Sequence, residues 1–269
     1  MLGIGIKVGG ILIPMIRFAD DIVILAKTEH DLQRALEEMQ IIINKYQMRI
    51  NSSKTKILVC AREPTINANI YLENQLISQV SSFKYLESLI TSDGRSSQEI
   101  KQRIGQAKTT FIKKKKILVS KKISRAIKNT FLKTFVWSVA LYGCETWVIN
   151  EKEKRSLEAF EMWCWRRMEK INWTERVTNE DVLTQVGETR SLIKAIKRRR
   201  WDMMGHVLRH DEELHHTIIE GAIEGRKPPG RPRNSYISQP KNDVGFDTYV
   251  GLKRLDKDRD KWRAKLKTL

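Results

Sequence analysis

The first third of this chain reads as short β-prone apolar runs around one amphipathic stripe of helical period, and the remainder as helical. GIKVGGILI sets Gly9-Gly10 between two apolar runs, a hairpin signal. Pro14 fits a strand start or a sheet edge. Met15 to Ala26 then places Asp20 and Asp21 between two β-prone runs. Aspartate is a poor strand residue, so the pair is predicted in the tight turn of a strand–turn–strand hairpin. Thr28 suits a helix N-cap, with Glu29 and Asp31 in the electropositive first turn. Leu32, Ala35, Leu36, Met39, Ile43 and Tyr46 recur every three or four residues, an amphipathic stripe expected to pack across a sheet behind the hairpin. A strand over 50–60, interrupted by polar residues 51–56, and β-like runs at 69–72, 75–80 and 83–90 complete an α+β unit. Asp93-Gly94 turns the chain out of it.

From there the spacing is helical. One helix is predicted over 101–128, with Ile104, Ala107, Phe111 and Ile112 apolar. A more apolar one covers 129–147, with Phe131, Phe135, Val139 and Tyr142 in register. Helices over 151–171 and 191–209 follow. Residues 225–240, rich in Gly, Arg and Pro, read as a loop, and 251–269 as a short charged helix carrying Leu252, Leu255, Trp262 and Leu266.

Charge sharpens this division. The 269 residues carry a net charge of +18. Residues 1–100 hold 11 basic and 11 acidic side chains, so the imbalance lies in residues 101–269, which hold 39 and 21. All seven Trp lie there too. A neutral module joined to a basic, Trp-rich one suggests a scaffold or chemistry module followed by a polyanion-binding module. No apolar run is long enough for a membrane span, so no membrane partner is expected. The N-terminus lacks the basic region and cleavage site of a secretory signal. Three widely spaced cysteines, Cys60, Cys144 and Cys164, point to a reducing compartment, nucleus or cytoplasm, rather than a disulfide framework.

Paired carboxylates at a hairpin tip have a known use. Mg²⁺ is commonly held by one or two Asp together with substrate phosphates, and two such ions can activate a hydroxyl and steady a leaving pyrophosphate. A solvated turn uses the same dipeptide without any metal. Zinc has weaker grounds. His206 and His210 would share a helix face and Cys164 could join them, but no Cys-x-x-Cys occurs and closed sites need four ligands.

The neighbours of the acidic pair favour the metal. Phe18-Ala19-Asp20-Asp21 resembles the catalytic box of reverse transcriptases, and residues 16–27, IRFADDIVILAK, are similar to its form in LINE-type, non-LTR retrotransposons. Residues 48–56 resemble the family's next motif, whose lysine, here Lys54, would sit near the nucleotide phosphates. Residues 83–91, with Lys84 and Tyr85, resemble the hairpin that grips the primer. That hairpin has a glycine in the family where Glu87 stands. Residues 141–147, 163–168, 205–209 and 230–233 look like landmarks downstream of the polymerase.

The resemblance implies an α+β fold: a partial palm over 1–97, thumb-like helices over 98–150, a basic Trp-rich helical region over 151–224, and a loop with a short helix over 225–269. It implies Asp20 and Asp21 as catalytic metal ligands for Mg²⁺ or Mn²⁺. The partners would be an RNA template, a DNA primer or RNA–DNA hybrid, and dNTP. The family's third carboxylate precedes the FADD box, yet residues 1–17 contain neither Asp nor Glu. This ligand and the nucleotide-pocket motif would lie upstream of Met1. The expectation is therefore a chain related to a polymerase but inactive alone; the alternatives are a non-catalytic, sequence-nonspecific RNA/DNA-binding module or a pseudogene remnant. The residues expected to meet nucleic acid are Lys84 and Tyr85, the run Lys113, Lys114, Lys115 and Lys116, and the run Lys197, Arg198, Arg199 and Arg200. Each Lys/Arg run would also serve as a solvated helix face.

Overall fold

A computed structural model describes residues 3–61, 66–221 and 236–265. The chain divides into two compact units, one of residues 1–94 and 210–231, the other of residues 95–209 and 232–269.

The first unit is built from two-residue hairpins. β1 (Ile6–Val8) pairs with β2 (Ile11–Ile13) across Gly9 and Gly10, whose φ values of 56° and 84° are those of a turn with two left-handed residues. β3 (Met15–Phe18) pairs with β4 (Asp21–Ile24) in the register Phe18↔Asp21. α1 (Glu29–Lys45) follows, its Thr28 hydroxyl accepting from the Asp31 amide at 3.1 Å. β5 (Ile57–Leu58) lies before the hairpin of β6 (Tyr71–Leu72) and β7 (Gln75–Leu76), and pairs in parallel with β8 (Gln79–Val80). β9 (Ser82–Tyr85) and β10 (Ser88–Thr91) form the last hairpin.

The core of this unit is small: Leu36, Ile57, Ile70, Leu72 and Ile77, with Ile24 and Leu32 packed against them. From the α1 stripe, Leu32 and Leu36 thus meet strands β4 to β6, whereas Tyr46 at its end stays exposed, contrary to the spacing. Gln33 strengthens the join. Its amide accepts from the Tyr71 backbone N–H at 2.8 Å and donates to the Tyr71 carbonyl at 3.1 Å. Two expectations differ. The strand predicted over 50–60 shrinks to Ile57–Leu58, because Asn51 closes a turn before it: the Asn51 Oδ1 accepts from the Lys54 amide, and its carbonyl accepts from Thr55. Asparagine offers the backbone this local alternative to a ladder. The strands also form five separate pairs among the described residues rather than one sheet behind the acidic hairpin.

The second unit is helical. It contains α2 (Ser97–Lys113), α3 (Lys115–Leu118), α4 (Arg125–Leu132), a π-helical turn over Lys133–Trp137 running into α5 (Ser138–Ala140), α6 (Glu151–Glu169), α7 (Asn179–Val186) and α8 (Leu192–Leu208). The chain then gives α9 (Leu214–Glu220) to the first unit and returns with α10 (Ser238–Asp243), α11 (Tyr249–Asp256) and α12 (Arg259–Lys265).

The single helix predicted over 101–128 is broken twice. Four successive lysines start in the last turn of α2, where the electronegative helix end favours them, and Ser124 caps α4 afresh through the Ile127 amide. The helix expected over 251–269 is two helices where it is described; Leu266 and most of the predicted loop lie outside the described residues. α7 fills a stretch for which the spacing predicts no element.

One core runs through α2 to α8, with Phe111, Leu132, Trp137, Leu157, Trp165, Val182 and Ile196 among its buried members. Glu161 on α6 is almost fully buried and accepts from the amides of Ser191 (2.8 Å) and Leu192 (3.2 Å), satisfying the first N–H groups of α8. Trp201 on α8 stacks on Trp262 of α12 at 3.9 Å and 11°, and its indole N–H donates to the Trp262 carbonyl. Gly205, one turn further along α8, leaves room for the Trp262 ring; any Cβ there would collide with it.

Candidate active site and nucleic-acid interface

The β3–β4 hairpin turns in two residues, Ala19 and Asp20. Asp20 occupies the turn and Asp21 opens β4, so both carboxylates stand at the tip and both are exposed. Ala19 has φ 51°, a left-handed conformation that a side-chain-bearing residue rarely adopts. Phe18, opposite Asp21, is 62% exposed. Neither carboxylate has a hydrogen-bond or ion-pair partner among the described residues. Such groups are available to a hard cation.

The donor set tests what that cation could be. Two Asp oxygens fit one Mg²⁺ completed by water and phosphate. Among the described residues no third His, Cys, Asp or Glu gathers with them. A two-ion centre needs bridging ligands beyond this pair, and no step through such a centre follows from these residues.

Lys54 stands exposed in the turn that Asn51 closes. Lys84 and Tyr85 lie on β9, beside the β9–β10 turn. Leu86 and Glu87 form that turn with φ 47° and 67°, two left-handed residues of which neither is glycine. Lys84 Nζ approaches Glu87 Oε2 at 2.6 Å, with both side chains largely in solvent. The Tyr85 hydroxyl is buried and has no hydrogen-bond partner among the described residues. Asp20 and Asp21 thus adjoin on one turn, and Lys84 pairs with Glu87 on another.

The basic runs of the second unit differ from each other. Lys113, Lys114, Lys115 and Lys116 are all exposed. In the other run, Lys197 pairs with Asp243 at 2.8 Å, and Arg199 donates to the Leu141 carbonyl at 3.1 Å. Arg200 is 3% exposed, donates to the Trp147 carbonyl at 3.0 Å and faces Asp243 at 3.7 Å. Burial pulls its pKa below the usual guanidinium value, against the opposing pull of Asp243. Arg198 alone of the four points broadly into solvent, 71% exposed, with Asp202 4.0 Å away.

Sequence reasoning passed over two features here. Trp173, between α6 and α7, is 89% exposed, on a 3-10 turn closed by a reciprocal Asn172–Glu175 cap. Arg155 and Arg190 flank one face of α6; the spacing 155, 159, 162, 163, 166 was the available signal. Trp163 and Trp165, two residues apart on α6, point to diverging sides of the helix: Trp165 is fully buried and Trp163 half-buried. Cys164 is a core thiol whose pKa burial raises far above the usual range, and it does not join His206 and His210; those two instead gather with Glu213, their ligand atoms within 4.8 Å of one another and all three residues exposed.

With this geometry in view, residues 10–90 match the family described as reverse transcriptase (RNA-dependent DNA polymerase). That span contains Asp20, Asp21, Lys54, Lys84 and Tyr85 and ends within β10. The chain is also 24% identical, over 220 residues, to an uncharacterized transposon-derived protein of Caenorhabditis elegans, covering 79% of this chain and 78% of that one. No solved structure matches it significantly. The fold is α+β, short and mostly antiparallel strand pairs followed by helices, which is consistent with a partial reverse-transcriptase palm ahead of a helical region; the likeness to reverse transcriptase lies in residues 10–90, and the likeness to a transposon-derived protein extends over 220 residues.

Proposed function

We propose that this chain is a LINE-type reverse-transcriptase relative that binds RNA, DNA or their hybrid, and that by itself it does not extend a primer. The observation that carries the reading is the β3–β4 tip: two adjacent, unpartnered carboxylates on a two-residue turn inside the matched segment. Asp20 and Asp21 would hold one Mg²⁺ or Mn²⁺ ion weakly. Lys54 would lie toward nucleotide phosphate, and Lys84 and Tyr85 toward a primer end. Exposed Lys113 to Lys116 and Arg198 would meet the phosphate backbone without reading sequence. Binding without catalysis is favoured over full polymerase activity because no third carboxylate gathers at the tip among the described residues.

The test is template-directed extension of a labelled primer by purified chain in Mg²⁺ and in Mn²⁺, beside a binding titration with the same hybrid. Binding without extension is the expected result. Extension that Asp20→Asn abolishes overturns the inactive reading, and absence of binding overturns the whole proposal.

A further inference from the structure

The face of α6 between Arg155 and Arg166 forms the floor of a groove of about 460 Å³, closed on one side by Asn179 at the start of α7 and by Arg190 in the connection to α8. Its size falls within the range of ligand sites, about 300–1,000 Å³. Ala159, Met162 and Trp163 make the floor apolar, while Arg155, Arg166 and Arg190 bring three guanidinium groups to its rim against one carboxylate, Glu158.

Each part is held in place. Trp163 packs edge-on to Phe111 at 5.1 Å and parallel to Phe160 at 6.3 Å, and the cations of Arg167 and Lys108 lie 5.0 and 5.3 Å from its ring centre. Arg166 donates to the Val177 carbonyl at 2.7 Å and to Asn179 Oδ1 at 3.0 Å, which fixes the loop end against the groove. Glu158 reaches Arg190 only at 3.7 Å, a loose pair that an anion could replace. Arg155 and Arg190 are exposed.

We infer that this groove is a binding site for an unpaired nucleotide of a nucleic-acid strand, with the base against Ala159, Met162 and Trp163 and the phosphate on Arg155 and Arg190. An apolar floor rimmed by planar cations matches a base carrying a phosphate. Duplex hides its base faces and would gain only the rim charges. The inference rests on the proposed nucleic-acid binding and adds a preference for single strands at a defined place.

The experiment measures fluorescence anisotropy of a labelled twelve-residue oligouridylate and of a labelled twelve-base-pair duplex with the full chain. It compares native protein, Arg155→Gln/Arg190→Gln, and the charge-matched control Arg254→Gln/Arg263→Gln. The groove variant is expected to lose ten-fold or more in single-strand affinity, with duplex affinity within about two-fold of the control. Its log–log salt slope for single strands should fall by about 0.7 for each phosphate no longer neutralised. Circular dichroism and melting confirm that these surface variants fold. Native binding with equal losses in both variants overturns the groove while leaving the proposed function standing. No native binding overturns both. Tighter binding of poly-glutamate than of an oligonucleotide of equal charge also overturns the inference, in favour of an acidic peptide.

Discussion

Glu87 carries the family departure and the strain in one residue. At φ 67° its Cβ crowds its own backbone, a conformation that glycine adopts freely. The Lys84–Glu87 pair is solvent-exposed and offsets little of this, since such pairs contribute about 0–1 kcal/mol. Glu87→Gly should therefore stabilise the protein by about 1 kcal/mol, read as a higher urea midpoint at unchanged slope; a lower midpoint refutes the strain argument. Its neighbour Tyr85 makes a complementary case. A buried hydroxyl with no partner costs about 1–3 kcal/mol in desolvation, so Tyr85→Phe should raise thermal stability. Because that hydroxyl is buried, the same variant should leave hybrid binding unchanged while raising the melting temperature; a loss of binding would show that the hydroxyl reaches the strand.

Among the elements, α6 joins the core to the start of α8 through Glu161. Burial raises this carboxyl's pKa, opposed by the hydrogen bonds from Ser191 and Leu192. The folded protein thus holds the proton more tightly than the unfolded chain, and stability falls as pH rises from near 4.5 through the raised pKa. Glu161→Gln keeps an acceptor oxygen for the two amides and removes the titration. The difference in melting temperature between Glu161→Gln and native protein should shift in favour of the variant from pH 4 to pH 7; a pH-independent difference rules this out. The same helices show where sequence reading stops. The hairpin was legible from the β-prone runs on either side of the acidic pair, but its turn falls one residue earlier than predicted, at Ala19-Asp20, with Asp21 paired in β4; α1 was legible because its apolar stripe is long. The structural use of Arg200 was not legible, since its partners Trp147 and Asp243 are 53 and 43 residues away. The break near Lys114 escaped because four lysines disturb no apolar period. Lys54 and the Tyr85 hydroxyl were legible only as motif positions, and their surroundings depend on packing that no spacing encodes.

For the whole molecule, charge remains the dominant property, but the fold redistributes its meaning. Of the two basic runs singled out in the second unit, one commits Lys197, Arg199 and Arg200 to internal partners, and the other is exposed at all four lysines, with Lys114 also 5.8 Å from the Phe135 ring centre. Replacing Lys113, Lys114, Lys115 and Lys116 by Gln should lower the log–log salt slope of hybrid binding by roughly one unit for each phosphate that these lysines neutralise. Replacing Lys7 and Lys27 in the neutral part should leave it unchanged. A salt titration of the full chain reads both, and equal slopes for all three proteins would mean that the exposed lysines serve solubility alone.

The Trp201–Trp262 stack ties α8 to a residue 61 places further along the chain. A message broken or shifted in frame just before the Trp262 codon would still encode every helix through α11. The product would nonetheless carry a bare indole at Trp201 and an open notch at Gly205. Surfaces of that kind attract chaperones and proteases. Such a break would thus reach the cell as faster turnover of the whole polypeptide rather than as a slightly shorter one.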